Sequence, residues 1–294
     1  MHRIQRASLT LLLLLLVASS RAHAESVDQL VDAFVEITDK AELKVEKHGR
    51  LAGITKWTSP IEYSVVGATS PKLVREVETQ MAHLAQLSGL QIRRVGAFAL
   101  TKDGLRQPIE DVRPLSEKFE FATMREDVAR LGHTINIVAD RSGSDPTVWM
   151  GNLTIMFGKR HLLERVFNHL LFDRSAHAAF ADGRAACFTA LTIREGTMEP
   201  LVAVVLIPTE HDAVLTRRCL VEETTQALGL VNDIPGSTLT LFDDRPDHRR
   251  TELTAYDEMF LRVLYNPEIK LGMTGRELRK TARRLIEVEL SKTR

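Results

Sequence analysis

The chain has 294 residues with 39 basic against 39 acidic, so its formal charge at neutral pH is zero and it lacks the electrostatic footprint of a nucleic-acid-binding domain. A hydrophobic fraction of 44% suits a globular protein with one substantial core or two small ones, and beyond a leucine-rich run near the start no long apolar stretch is present. The G-x-S-x-G, P-loop and G-x-G-x-x-G patterns are absent, which leaves acyl hydrolase, nucleotide hydrolase and dinucleotide chemistry without support.

Arg3 and Arg6 precede an apolar run from Leu9 to Ala18, and Ala22-His23-Ala24 stands before Glu25. A basic start, a short apolar stretch and a small-x-small site make up a cleavable signal peptide. The run is about half the roughly 20 residues a bilayer crossing needs, and no cysteine lies nearby to accept lipid. The expected organisation is a signal peptide over 1–24 and a single domain over 25–294, periplasmic or secreted, with no stable membrane anchor. Cleavage after Ala24 removes Arg3, Arg6 and Arg21 and no acid, taking 39 basic residues to 36 against 39 acidic, a net charge of −3.

Val27, Leu30, Val31, Phe34 and Val35 recur at helical spacing, so Ser26 to Ile37 reads as an amphipathic helix. Trp57 reads as a core anchor ahead of a strand over Ile61 to Val66; Pro71 to Leu87 then reads as a helix closed by Gly89, and Leu90 to Val95 as a second strand. Residues 101 to 131, broken by Asp103-Gly104, Pro108 and Pro114, read as a loop-rich excursion ending in a helix. Strands are expected at His133 to Ala139 and Asn152 to Phe157, around a turn at residues 142 to 146, with a helix over His161 to Phe172. His161 and His169 on that helix read as solvated or core-edge residues, and Asn152-Leu153-Thr154, a formal glycosylation sequence, falls in a strand and is discounted.

Ala186 to Ile193 and Leu201 to Ile207 flank Glu195-Gly196 as a hairpin, followed by one long helix from His211 to Leu228 that ends at Gly229. Further helices are read over Asp257 to Tyr265 and Gly275 to Leu290, the charges from Arg276 to Glu289 forming a solvated face. Cys187 and Cys219 are the only cysteines; in an exported chain such a pair is expected to be bridged, with metal ligation or a reactive thiol as the alternatives. The order of elements indicates one α+β domain.

The information about function is concentrated in Cys219-Leu220-Val221-Glu222-Glu223-Thr224-Thr225-Gln226-Ala227-Leu228-Gly229-Leu230-Val231-Asn232-Asp233. Glu222 and Gln226, four apart, share a helix face, and a turn at Gly229 can return Asn232 toward it. The spacing resembles the metzincin metalloproteases, whose H-E-x-x-H-x-x-G-x-x-H pattern supplies three imidazoles to Zn²⁺ beside a general base. Laid over that pattern, Glu222, Gln226 and Asn232 take the three His places, while Glu223 and Gly229 match. Ser237-Thr238-Leu239-Thr240 lies where a Met-containing turn would be, without the Met, and Met273 follows too late to replace it.

A wider resemblance is to an exported bacterial family known as domain of unknown function 2927. It is carried by Cys187, by Trp57 ahead of a strand, by the run Cys219 to Asp233, and by Leu253-Thr254-Ala255-Tyr256-Asp257 through Leu261-Arg262-Val263-Leu264-Tyr265-Asn266-Pro267 and Gly272-Met273. Val221 departs from it, His being commoner there. The two resemblances imply a metzincin-like (zincin) α+β domain, a mixed sheet with a long helix, whose zinc ligands are replaced. The expected state is a non-catalytic module without cofactor, in which Glu222, Gln226, Asn232 and Asp233 form a polar cluster and a groove or edge strand binds a peptide or envelope protein. The alternative is an atypical peptidase or hydrolase with Glu223 as general base, either on carboxylates alone or beside a metal held by Glu222, Gln226 and Asn232.

Overall fold

Short apolar runs bounded by turn residues form one mixed sheet in the computed structural model, which describes residues 25–39, 53–67, 70–101, 104–108, 151–164, 174–194, 196–243 and 250–292. Its six strands are β1 (Ile61–Val66), β2 (Ile92–Thr101), β3 (Gly104–Pro108), β4 (Leu153–Gly158), β5 (Phe188–Ile193) and β6 (Pro200–Pro208), in the order β3-β2-β1-β4-β6-β5. The four inner strands run parallel, and β3 and β5 close the two edges as antiparallel hairpin partners of β2 and β6. Every residue of β1 and β4 is buried, as parallel strands covered on both faces must be, which is why β4 and β6 read as nearly unbroken apolar runs.

Alternate residues separate the two faces. Ile61, Tyr63 and Val65 of β1, with Leu153, Ile155 and Phe157 of β4, join the main core. Against them pack α1 (Val27–Asp39), α2 (Pro71–Ser88), α4 (Ala213–Gln226), α5 (Ala255–Leu264) and α6 (Gly275–Lys292), with the rings of Phe34 and Phe260 edge to face at 5.8 Å. On the opposite face Glu62 lies in register with Arg93, which donates from Nε at 2.8 Å. α3 (Arg174–Ala181) buries Phe180, and Arg160 ties its end down by donating to the carbonyls of Phe180 at 2.6 Å and Ala185 at 3.0 Å.

The elements expected at 26–37, 61–66, 71–87, 152–157, 186–207, 257–265 and 275–290 are all present within a few residues. One reading needs correction and one element is added. β2 runs to Thr101, not Val95, because its far half pairs with β3; the Asp103-Gly104 breaker is a hairpin signal, and only Gly104 to Pro108 is needed to complete the pair. A helix at 174–181, α3, was not anticipated; the charged face of α6 is solvated as expected, with Arg279 and Arg283 pairing there with Asp32 and Asp28 of α1. The signal segment 1–24, the strand at 133–139, the turn at 142–146, His169 and most of the excursion from 101 to 131 lie outside the described residues.

Asn152 is buried, donates from Nδ2 to the Pro60 carbonyl at 3.0 Å and accepts from the Glu62 N–H at 2.8 Å, so it splices β1 to β4 and offers no free amide to a glycan. The bridge between Cys187 and Cys219 is formed, with Cα atoms 5.8 Å apart, and links the entry to β5 with the middle of α4. Among the described residues no helix is long and apolar enough to cross a membrane.

Candidate functional site

Helix α4 carries the segment singled out by the sequence. It begins where Asp212 accepts the Leu215 N–H at 2.8 Å and ends at Gln226, short of Leu228, because the N–H groups of Leu228 and Gly229 tighten into i−3 bonds to the carbonyls of Thr225 and Gln226. From Cys219 to Thr225 every residue is buried, so this half of the helix is enclosed all round. Its two threonines are satisfied internally: Thr224 and Thr225 return their hydroxyls to the carbonyls of Leu220 and Val221, both at 2.6 Å.

The exit from α4 is held by residues far away in sequence. Trp57 donates from Nε1 to the Ala227 carbonyl at 2.8 Å, and the Tyr265 hydroxyl donates to the Leu228 carbonyl at 2.8 Å while accepting the Trp57 N–H at 3.3 Å. These are the carbonyls a helix end leaves unsatisfied. Burial pushes the Tyr265 phenol well above its ordinary pKa, so it keeps the proton this bond uses. Gly229, at φ +114°, lies so close to the strap at 53–57 that a Cβ there would be 2.2 Å from the Thr55 carbonyl oxygen. Trp57 is thus the core anchor expected and a helix cap as well.

Glu222 and Glu223 are both 6% exposed. Glu222 Oε2 lies 3.1 Å from Arg218 Nε, one turn earlier, and Arg218 also donates from Nη2 to the Asp243 carbonyl at 2.5 Å. The Glu223 carbonyl accepts from Thr189 Oγ1 of β5 at 2.9 Å, which fixes the helix against the edge hairpin. Gln226 and Asp233 are brought together, Nε2 to Oδ1 at 3.0 Å. Asn232 is tied to the end of α1, its Nδ2 donating to the Glu36 carbonyl at 2.8 Å and its N–H to that of Ile37 at 3.2 Å.

The stretch after Asn232 folds under the site. The Ile234 N–H donates to the Phe242 carbonyl at 2.9 Å, the Gly236 N–H to Asp243 Oδ1 at 3.0 Å, and Leu241 and Phe242 are fully buried. Ser237 to Thr240 is anchored by the capping box of α5, in which Thr254 donates to the Leu239 carbonyl at 2.8 Å and Asp257 Oδ2 accepts the N–H groups of Thr254 at 2.8 Å and Leu241 at 3.0 Å. Burial raises the Asp257 carboxyl above its ordinary pKa, against those hydrogen bonds. The Met273 carbonyl accepts the Ile54 N–H of the strap at 3.1 Å, and the Gly272 N–H donates back to the Ile54 carbonyl at 2.9 Å. His161 is exposed.

Sequence spacing missed Arg218, Asp243, Asp257 and Tyr265. Arg218, four before Glu222, carried a readable signal in the i,i+4 ion pair, and Asp257 one in the Thr254-x-x-Asp257 capping-box spacing. The donor set does not fit a zinc ion: it lacks imidazole and thiolate, Gln226 and Asn232 offer amides, and Glu222 faces a guanidinium. Among the described residues no group of three or more His, Cys, Asp or Glu is arranged to hold a metal.

No curated protein and no solved structure matches the chain. The family model described as "Protein of unknown function (DUF2927)" matches residues 27–284, from the first turn of α1 into α6, and the chain belongs to that family.

Proposed function

We propose that this protein is an exported, non-catalytic zincin-like module that binds an extended peptide or an envelope protein. The observation that carries the reading is the pairing of Glu222, the one carboxylate among the three ligand positions, with Arg218, while Gln226 donates its amide N–H to Asp233 and Asn232 to the end of α1. A metal centre needs that carboxylate turned toward an ion; a structural cluster needs it paired with a cation of the chain. The mixed sheet followed by a long buried helix supports a zincin-like ancestry, and the Cys187–Cys219 bridge supports export to an oxidising compartment.

The binding surface is the outer edge of β5. Among the described residues this strand pairs with β6 on one side, ends the sheet order and is half-buried, so its backbone offers the hydrogen-bonding row that an added strand takes up. Thr189 ties it to the Glu223 carbonyl and Cys187 to Cys219, which makes it a firm template. The test is hydrogen exchange on the mature protein with a peptide selected from an extended-peptide library. Slowed amide exchange across 188–193 is expected; binding with protection only elsewhere would overturn the assignment.

The burial of Glu223 at the general-base place of the pattern favours a second reading, a hydrolase acting through that carboxylate. Wild-type protein and Glu223→Gln are compared on the same peptide library. Equal, background cleavage is expected. Cleavage lost in Glu223→Gln at unchanged melting temperature would establish the hydrolase.

A further inference from the structure

The place where a metzincin-like site would gather positive charge holds a positive side chain of the chain itself. Arg218 and Glu222 are 12% and 8% exposed at the side chain, so the pair is withdrawn from water and its charges are felt at low dielectric. Arg218 Nε is 3.1 Å from Glu222 Oε2 and its Nη2 is 2.5 Å from the Asp243 carbonyl oxygen. A guanidinium stays charged at any pH the fold survives. An oxygen-seeking dication lies roughly 2.0–2.6 Å from its ligands. By addition to the 3.1 Å bond, an ion on Glu222 Oε2 would be no farther than about 6 Å from Arg218 Nε, well inside the range over which like charges repel.

We propose that Arg218 is an internal cation that takes over the electrostatic role of a metal: it neutralises Glu222, ties α4 to the loop at 236–243, and closes the site to divalent ions. The inference rests on the non-catalytic reading and says how that state is maintained. Its consequence is reversible. Removing the guanidinium leaves the Glu222 carboxylate and the Asp243 carbonyl without their shared donor, both hard oxygen acceptors on two elements that Arg218 had joined. Asn232 Oδ1, buried and without a hydrogen-bond partner, is a further oxygen acceptor in the same polar segment. Oxygen-only sets favour Ca²⁺ and Mn²⁺ over Zn²⁺.

The experiment uses mature protein stripped of metal, as wild type, Arg218→Met, Arg218→Lys and the double variant Arg218→Met/Glu222→Gln, melted with and without millimolar CaCl₂ or MnCl₂. Wild type and Arg218→Lys are expected to melt at the same temperature with and without either salt. Arg218→Met is expected to melt lower and to recover by several degrees when the ion binds the folded state, an effect absent from the double variant. A stoichiometric ion in wild-type protein, lost in Glu222→Gln, would overturn the inference, and so would Arg218→Met melting like wild type with no response to either salt. If Arg218→Met folds only in the presence of the ion, the inference stands; if it fails to fold with the ion while the double variant folds, the inference falls. Peptide cleavage in the same samples separates the two layers: a wild-type ion without cleavage overturns only the internal-cation inference, and a wild-type ion with cleavage overturns the non-catalytic reading too.

Discussion

Lys56 sits in the strap that crosses behind both α4 and α5, and it is only 7% exposed. Its ammonium caps α5, donating to the carbonyls of Leu264 at 2.9 Å, Asn266 at 3.3 Å and Ile269 at 2.6 Å, and lies 5.8 Å from the centre of the Tyr265 ring. Burial, with a smaller contribution from the charge of Lys270, lowers its pKa from 10.5 to about 8. Between those two values the unfolded chain holds a proton that the folded chain has released, so raising the pH disfavours unfolding and stability grows. The cost of burying the charge is fully present below about pH 8 and is relieved toward pH 10.5, an increment of about 3 kcal/mol. Chemical melts of wild type and Lys56→Met across that range isolate the effect, because other titrations are common to both. The difference in stability, wild type minus variant, is expected to grow with pH; a difference that stays flat or shrinks contradicts the assignment.

At the scale of elements, most helices and strands were legible because their signals are local; α3 at 174–181 was not. Ser70 caps α2, accepting the Leu73 N–H, and Gly89 ends it at φ +71°, both local features of a Ser-Pro start and a Gly stop. β3 was not legible, since its five residues carry no alternation and owe their existence to β2. The site was half legible. Spacing put Glu222, Glu223 and Gln226 on one helix and grouped Gln226 with Asp233 in a polar cluster, but it gave no sign that the Asn232 amide N–H donates to the end of α1 or that Trp57 and Tyr265 cap α4. Those partners are separated from their targets by 196, 170 and 37 positions, and no local pattern encodes such contacts. The α4 exit is therefore where a small change should be most costly. Gly229 and Gly236 both have positive φ, but a Cβ at Gly229 would strike the Thr55 carbonyl, whereas at Gly236 nothing lies within 4 Å. Gly236→Ala should cost about 1 kcal/mol from backbone strain alone, and Gly229→Ala about 3 kcal/mol or more from strain and collision together. Denaturant melts test the order; equal losses would mean that the strap yields freely and does not hold the exit of α4.

For the whole molecule, the bridge between Cys187 and Cys219 joins the edge of the sheet to its most enclosed helix. It closes a loop 32 positions long that contains all of β5 and β6 and the first half of α4, so its loss returns that whole stretch to the unfolded ensemble with an added entropy worth about 3 to 4 kcal/mol. The native contacts that remain are substantial: Cys219 is fully buried in the main core, β5 keeps its ladder to β6, and Thr189 still bonds the Glu223 carbonyl. The fold should therefore survive reduction while melting at a lower temperature. The double variant Cys187→Ala/Cys219→Ala should melt at about the temperature of reduced wild type and be indifferent to added reductant. Loss of the bridge also loosens β5 against α4, so a peptide bound along 188–193 should bind more weakly to the variant at temperatures well below its melt. If the variant melts like oxidised wild type, the bridge contributes nothing to the folded state's advantage; if it melts lower but binds the peptide unchanged, the β5 edge is not the surface the bridge supports.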